Sequence, residues 1–445
     1  MQSKFTQGSI LRHICNMTFA SMAGLLSLFL VDLVDMYWLS LLGEIELAAA
    51  IGYAGSILFF TLSLSIGLSI GVGATVSQSV GGGDRNATRR LVGNIAVAIV
   101  LISIPVMLLV VLLLPVLLGY LGAEGRAHEL ALSYAVIVLP SMPLMAGAMA
   151  ASGVMRALGN AKEAMYLTLL GGAVNAALDP LLIFTFGLGI EGAAWATVLC
   201  RVAMLAYGIY LLVFKHRLIA RPKRELFARD FRRFAEVALP AALTNLSTPV
   251  GVAYVTAVMA GFGDSAVAGN AIVGKVQALA FAGLFALSGS VGPIVGQNLG
   301  AGQISRIMET LKQSVVFVLS YCLVACLLLF ALTEFLVAAF NASGEAAELI
   351  RWFCWGLSTA FVFNGLTFCS NAFFNNLKVA HWATVINFAK ATIFTMPFAY
   401  IGAQLAGPVG IFIGMWIGSA IIAVIGLYLA WFKVRSLPGA ERAGL

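Results

Sequence analysis

Long apolar runs, each closed by a short polar stretch, follow one another almost from the start of the chain to residue 432. A helix of about 20 residues crosses the ~30 Å hydrocarbon layer of a bilayer. The pattern predicts twelve such spans, at 14–42, 46–80, 91–121, 128–155, 163–186, 190–214, 234–262, 264–299, 306–340, 346–374, 382–404 and 408–432. The second and eighth exceed the bilayer. They are expected to tilt, to bend at glycines such as Gly67, Gly71 and Gly73, or to extend into water. Frequent glycine and proline fit this picture, because small residues let membrane helices approach closely.

Composition excludes a soluble globular protein. Of 445 residues, 61% are hydrophobic and 10% are charged, against roughly a quarter charged in soluble domains. The segment Met1–Ile14 is short and polar, holds Lys4 and Arg12, and lacks a small-residue cleavage site of the secretory type. The first span is therefore expected to be retained. Cys15, Cys200, Cys322, Cys326, Cys354 and Cys369 lie in or beside apolar runs with no metal-ligand spacing, and they read as packing residues.

Basic residues set the expected orientation. With the N-terminus inside, Lys4, Arg12, Arg85, Arg89, Arg90, Arg156, Lys162, Arg306, Lys312, Lys378, Lys433, Arg435 and Arg442 all fall on the inner side. The segment 215–233 (KHRLIARPKRELFARDFRR) joins them with eight basic and two acidic residues. The outer loops hold Arg126 and Arg351 alongside several acids. This asymmetry predicts a multi-pass protein of the cell's inner (plasma) membrane with both termini cytoplasmic. The basic segment reads as a topology anchor on anionic lipid head groups rather than a nucleic-acid site.

That segment also separates two related halves. SQSVGGGD at 77–84 pairs with GQNLGAGQ at 296–303, and LSIGVG at 68–73 with LSGSVG at 287–292. RALGNAKEA at 156–164 pairs with NNLKVAHWA at 375–383. These three share an offset of 219, and GIEG at 189–192 pairs with GPVG at 407–410 at 218. Six spans per half is an even number, so both halves enter the membrane in the same sense. The expected fold is all-α: twelve transmembrane helices as two parallel six-helix repeats around a central cleft. The expected divisions are an N-terminal lobe at 1–214, a linker at 215–233, a C-terminal lobe at 234–432 and a cytoplasmic tail at 433–445.

Charges inside spans are costly and point to function. Asp32 and Asp35 are three apart on the first span and share a helix face. Burial and like-charge proximity both favour the protonated form, which suits proton exchange near neutral pH. Asp179 precedes Pro180 in the fifth span, and Asn175 lies four residues earlier on the same face. Proline donates no N–H, so a kink there frees carbonyls to face a cation. The buried bases are Arg201, Lys275 and Lys390. They are candidate charge partners, and Arg201 is the obvious structural partner for the aspartates. The acids all lie in the first half, which reads as the cation-handling lobe.

No soluble-enzyme site emerges. The four histidines form no metal pair, and there is no phosphate-binding loop to couple ATP. GGGD at 81–84 reads as a tight cytoplasmic turn. A transporter rather than an enzyme is expected, without a prosthetic cofactor and without a resident metal.

The chain resembles the multidrug and toxic compound extrusion (MATE) family over nearly its whole length. The first span gives Asp35–Gly43 spaced D-x7-G, followed by ELAAA at 46–50. Ser40 stands where the family usually has glycine. VGQNLGAG at 295–302 is the most specific match, with RALGNAK at 156–162, NAALDPLLIF at 175–184 and GIEGAAWAT at 189–197. The resemblance implies two six-helix lobes around an alternately opening cleft. Its first-lobe cation site maps onto Asp35, Asn175, Asp179 and Thr197, so Na+ binding is implied there if Na+ is the coupling ion. Asp32 lies outside that set, and its inclusion rests on helix spacing. The seventh span around Tyr254 carries no acid, which favours coupling through the first lobe.

The expected function is secondary antiport: amphipathic, often cationic, organic compounds leave in exchange for inward H+ or Na+. Aspartates at 32 and 35 suit H+, and the oxygens of Asp179, Asn175 and Thr197 suit a hard cation. The rival readings are a flippase for lipid-linked saccharides, for which Arg201, Lys275 and Lys390 would meet pyrophosphate, and an integral membrane transferase. The expected partners are small organic substrates and the lipid bilayer, with no nucleic acid, and the chain is expected to be a monomer.

Overall fold

The computed structural model describes residues 3–40, 45–220 and 224–441, and among them every regular element is helical. The first six spans are α1 (Ile10–Ser40), α2 (Ile45–Gly81), α3 (Arg85–Tyr120), α4 (Gly125–Ala157), α5 (Ala161–Thr185) and α6 (Gly189–Lys215). Next come α7 (Arg224–Ala260), α8 (Ser265–Ala280 continuing as Ala282–Gly300) and α9 (Ile304–Ala331). Span α10 is Gly344–Trp355 continuing as Leu357–Asn376. A final helical run, Ala380–Arg435, reverses at Ala406 and Gly407, giving α11 (380–405) and α12 (408–435). Gly402, Gly414 and Gly418 lie against the backbone of Gly410, Phe398 and Phe394 respectively. That is the signature of two antiparallel arms in contact. The chain is thus a multi-pass, all-α membrane protein of twelve spans.

Lipid-facing surface identifies itself. Leu112 is 77% exposed, and Leu108, Leu109, Val116 and Leu323, Val324, Leu327, Leu328 all stand outward from α3 and α9. A soluble protein does not display leucine ridges of this kind. The offset of 219 carries Leu108 and Leu109 onto Leu327 and Leu328, so the repeat extends to the lipid-facing surface.

The repeat also appears in the turns. Left-handed backbone recurs at Gly83 (φ 79) and Gly302 (φ 70), at Gly122 (φ 84) and Asn341 (φ 47), and at Gly125 (φ 51) and Gly344 (φ 57). Gly159 (φ 77) pairs with Lys378 (φ 63), and Gly189 (φ 55) with Gly407 (φ 59). Every pair keeps the 219 or 218 spacing. Asn and glycine tolerate this conformation, whereas Lys378 is strained in it. At the first of these turns Asp84 caps α3 by accepting from the backbone N–H of Asn86 (2.9 Å) and Ala87 (3.0 Å).

The helices group into two compact units, Ala23–Ala242 and Ser3–Met22 with Leu243–Leu445. The first turns of α1 go with the second unit. The reason is local. Phe5 is buried, its N–H donates to Gln297 Oε1 (3.0 Å), and its carbonyl accepts from Asn298 Nδ2 (3.2 Å) and Arg306 Nη2 (2.9 Å). The motif VGQNLGAG thereby anchors the N-terminal segment. Helix α7 begins at Arg224, inside the basic segment 215–233.

In the first unit, Gly67 and Gly71 of α2 take up a close approach. A Cβ on Gly67 would lie against Ala242, and one on Gly71 against Ala238, both near the middle of α7, 2.6 Å from the Ala238 methyl in the second case. In the second unit, α8 bends by 46° at Phe281 and α10 by 56° at Gly356. Broken backbone needs new partners. Tyr321 supplies them at the α8 bend: its hydroxyl donates to Ala280 O (2.9 Å) and accepts from Gly283 N–H (3.3 Å).

Candidate functional site

The first unit brings together three residues named from the sequence. Asn175 and Asp179 sit one turn apart on α5, and Asp35 comes from α1. Asn175 Nδ2 donates to Asp35 Oδ1 at 3.0 Å and to Asp179 Oδ2 at 2.7 Å. Both hydrogens of one amide are therefore spent on two carboxyl groups. Asp179 is fully buried, and its Oδ1 meets no donor among the described residues. The two carboxyl groups also approach each other. Such a contact is attractive only with a proton or a cation between them.

Small residues make this meeting geometrically feasible. A Cβ on Gly172 of α5 would stand 2.9 Å from Ser27 Oγ and 3.0 Å from Val31 Cγ2, and Gly24 of α1 lies against the Thr168 side chain. Ser27, Val31 and Asp35 follow at four-residue intervals and so line one face of α1. Helix α1 thus closes on α5 through two glycines, one on each helix. Just past Asp179 and Pro180, α5 widens into a π-helical stretch at Leu181–Thr185. That is the local deformation expected from a proline in this position, and such bulges gather at functional sites.

Thr197 of α6 donates to Ala193 O at 3.1 Å and lies beside Tyr134 of α4. Tyr134 lies in the neighbourhood of Arg201, Asp35 and Asp179. Sequence reasoning passed over Tyr134 because a single tyrosine among many span aromatics carries no spacing signal. Asp32 lies on α1, with its side chain outside the described residues.

The three bases lie in different settings. Among the described residues Arg201 forms no ion pair with an aspartate. Its Nη1 donates to Val138 O (3.3 Å) and Ser141 Oγ (2.9 Å), where Pro140 interrupts α4. The guanidinium braces a proline break. Lys275 was expected to be buried, but its side chain is exposed on α8. Lys390 is half-buried in the second unit and donates to Asn364 Oδ1.

The acid pair is not duplicated in the second unit. The 219 offset carries Asp35 to Tyr254, and 218 or 219 carries Asp179 to Pro397 or Phe398. Among the described residues no group of three or more His, Cys, Asp or Glu gathers as a metal cluster.

This arrangement can be set beside known proteins. The MatE family model matches residues 20–181 and 240–401, one copy in each half. The chain belongs to the MATE family of membrane transporters. MATE proteins transport rather than catalyse, need no prosthetic group, and bind small organic substrates. The chain is 26% identical over 425 residues to the FAD transporter of Shewanella oneidensis, covering 94% of both proteins. It is 20% identical over 440 residues to the multidrug export protein MepA of Staphylococcus aureus, covering 96% of this chain and 95% of the relative. Among solved structures, the Vibrio cholerae MATE transporter VcmN superposes with a TM-score of 0.90 at 25% identity, covering 98% of each chain.

Proposed function

We propose that this MATE protein is a secondary antiporter that exports amphipathic organic molecules in exchange for inward H+ or Na+. The single observation that carries the reading is the Asn175 amide clamped between the carboxyl groups of Asp35 and Asp179, 3.0 and 2.7 Å away. Two carboxylates sharing one largely buried amide cannot both stay ionised without a neutralising partner. A proton supplies that neutralisation most simply. A Na+ ion would use the same oxygens together with Thr197. Neutralisation favours one conformation of α1 and ionisation another, so cation occupancy biases the equilibrium between inward-open and outward-open states. Substrate and coupling cation then alternate, as antiport requires.

The protein is placed in the cytoplasmic (inner) membrane with both termini inside, as the excess of Lys and Arg on that side supports. It acts as a monomer. The halves 1–214 and 234–432 are the moving bodies, the basic segment 215–233 is the link between them, and 433–445 is a cytoplasmic tail. Asp32, one turn before Asp35, is a reserve proton acceptor on the same helix.

The test is transport by purified protein in proteoliposomes with H+ and Na+ gradients imposed separately. Uphill substrate movement driven by one gradient and not the other supports antiport and names the ion. Movement that needs neither gradient overturns it.

A second reading of the substrate rests on a specific observation. The Shewanella relative, aligned over 94% of both chains, is named for FAD rather than for drugs. An anionic dinucleotide is thus a substrate class to weigh against cationic drugs, and the two make opposite demands on the charge of the binding residues.

A further inference from the structure

Among the described residues, the second unit holds a cation with no acid paired to it. Lys390 opens a π-helical stretch, Lys390–Thr395, within α11. Ala391 lies 3.7 Å from a Cβ placed on Gly251, so α7 packs beside this stretch, and α12 packs along it through Gly418 and Phe394. Helix α10 reaches it through Asn364. None of these neighbours offers an acid. There is no charged residue at 243–260 of α7, at 360–376 of α10, at 380–389 of α11, or at 396–432 across the α11–α12 hairpin. His381 is the one imidazole among them and lies more than two turns away along α11. Among the described residues the Lys390 ammonium forms no ion pair. An ammonium inside a membrane protein with an amide oxygen as its partner is costly, and such a group is retained for a task.

The donors point to that task. An ammonium carries three N–H bonds, and one is used on Asn364 Oδ1. With its oxygen turned to Lys390, Asn364 presents its NH2 on the other side of the same amide. The pair therefore offers more donors than acceptors, and its net charge is positive, which suits an anion. One turn from Lys390, Asn387 is held in place by Asn371 Oδ1 (3.0 Å) and Ala383 O (2.8 Å), which fixes the helix face that carries the lysine.

We propose that Lys390 and Asn364 form an anion-binding subsite in the second unit that receives a phosphate or carboxylate group of the exported molecule. The inference rests on the exporter reading and narrows its substrate to compounds bearing a negative group. The first-unit acids then handle the coupling cation, and the second-unit lysine handles the substrate's charge. The two tasks are divided between repeats that share a fold and differ at these positions.

The test is equilibrium binding by purified protein in lipid nanodiscs, with no gradient, read by flavin fluorescence. FAD carries a pyrophosphate and riboflavin does not, so the pair isolates the anion. Wild-type protein is expected to bind FAD more tightly than riboflavin. Lys390→Gln is expected to lower FAD affinity about 10- to 100-fold, the loss of one charge-assisted contact, and to leave riboflavin unchanged. Lys390→Arg is expected to keep most of the FAD affinity. Equal FAD binding by wild type and Lys390→Gln overturns the subsite, as does equal binding of FAD and riboflavin by wild type. If Lys390→Gln does not fold, thermal stabilisation of wild type is read instead. Stabilisation by FAD but not riboflavin supports the proposal, and stabilisation by neither, or by both alike, overturns it. Competition arms separate the source of the anion. Displacement by soluble pyrophosphate assigns a water-borne substrate, and displacement only by a polyprenyl diphosphate in the bilayer assigns a lipid headgroup. Displacement by neither counts against the subsite. Because no gradient is present, failure here leaves coupling at Asp35 standing, and failure of coupling leaves this binding result standing.

Discussion

Replacing Gly172 with alanine tests how the acid pair is assembled. The new methyl would meet Ser27 Oγ at 2.9 Å and Val31 Cγ2 at 3.0 Å. Carbon contacts relax at about 3.5–4.0 Å, so α1 must retreat by roughly 0.5–1 Å. The serine hydroxyl can rotate away. The valine cannot, because a β-branched side chain on a helix is held to one rotamer. The retreat moves Asp35, one turn beyond Val31, and stretches its 3.0 Å hydrogen bond from Asn175 past useful length. Overpacking costs about 1–3 kcal/mol, while replacing glycine returns about 0.4–1 kcal/mol through the unfolded chain. Net destabilisation is therefore modest, and folded protein should be recovered. Loss of a hydrogen bond to a charged group costs about 1.5–3 kcal/mol. Gradient-driven uptake per folded molecule is thus expected to fall about 10-fold or more. Adding Val31→Ala to Gly172→Ala opens the space again and should restore most of the activity. The assay is uptake into proteoliposomes, normalised to monodisperse protein. Full activity in Gly172→Ala, or no rescue by Val31→Ala, would refute the idea that this glycine sets the Asp35–Asn175 distance.

Two further outcomes follow from the second unit. Tyr321→Phe removes the hydroxyl that holds Ala280 O and Gly283 N–H at the α8 bend. It is expected to destabilise the protein by about 1–3 kcal/mol, read as a lower thermal unfolding midpoint, and an unchanged midpoint would show that the bend does not depend on it. Arg306→Ala removes donors to Phe5 O (2.9 Å) and Gly8 O (3.0 Å). Limited proteolysis should then cut the segment before α1 faster than in wild type, and an unchanged rate would show that the segment is held by other contacts.

Much of this architecture was legible in the chain because membrane spans obey a simple rule. An apolar run long enough to cross hydrocarbon must satisfy its backbone internally, so hydropathy alone delimits the helices. The repeat was legible because turns demand particular residues. Glycine or asparagine at 83, 122, 125 and 189 recurs at 302, 341, 344 and 407 for the same left-handed backbone. Lys378 breaks that chemistry and keeps the conformation, which sequence comparison at that position would miss. The meeting of Asp35 with Asn175 and Asp179 followed from a family resemblance, since helix spacing joins Asn175 to Asp179 but says nothing of a different helix. The bases were harder to read. A charge in an apolar run looks buried whichever way it points. Arg201 proved to brace a proline break, and the Lys275 side chain proved to be exposed. Phe5 was hidden for a similar reason: a lone phenylalanine in a polar segment gives no sign that Gln297, Asn298 and Arg306 will gather around its backbone.

The central claim is that Asp35 couples cation entry to export, and it is tested most directly by comparing two modes of transport in Asp35→Asn. Substrate-for-substrate exchange across a vesicle membrane at equal pH and equal Na+ needs the conformational cycle but no coupling ion. Uphill movement against a substrate gradient needs both. Asparagine keeps the side-chain shape and removes the charge. The account predicts that Asp35→Asn retains exchange while gradient-driven accumulation disappears. Accumulation at the wild-type level in Asp35→Asn would contradict it.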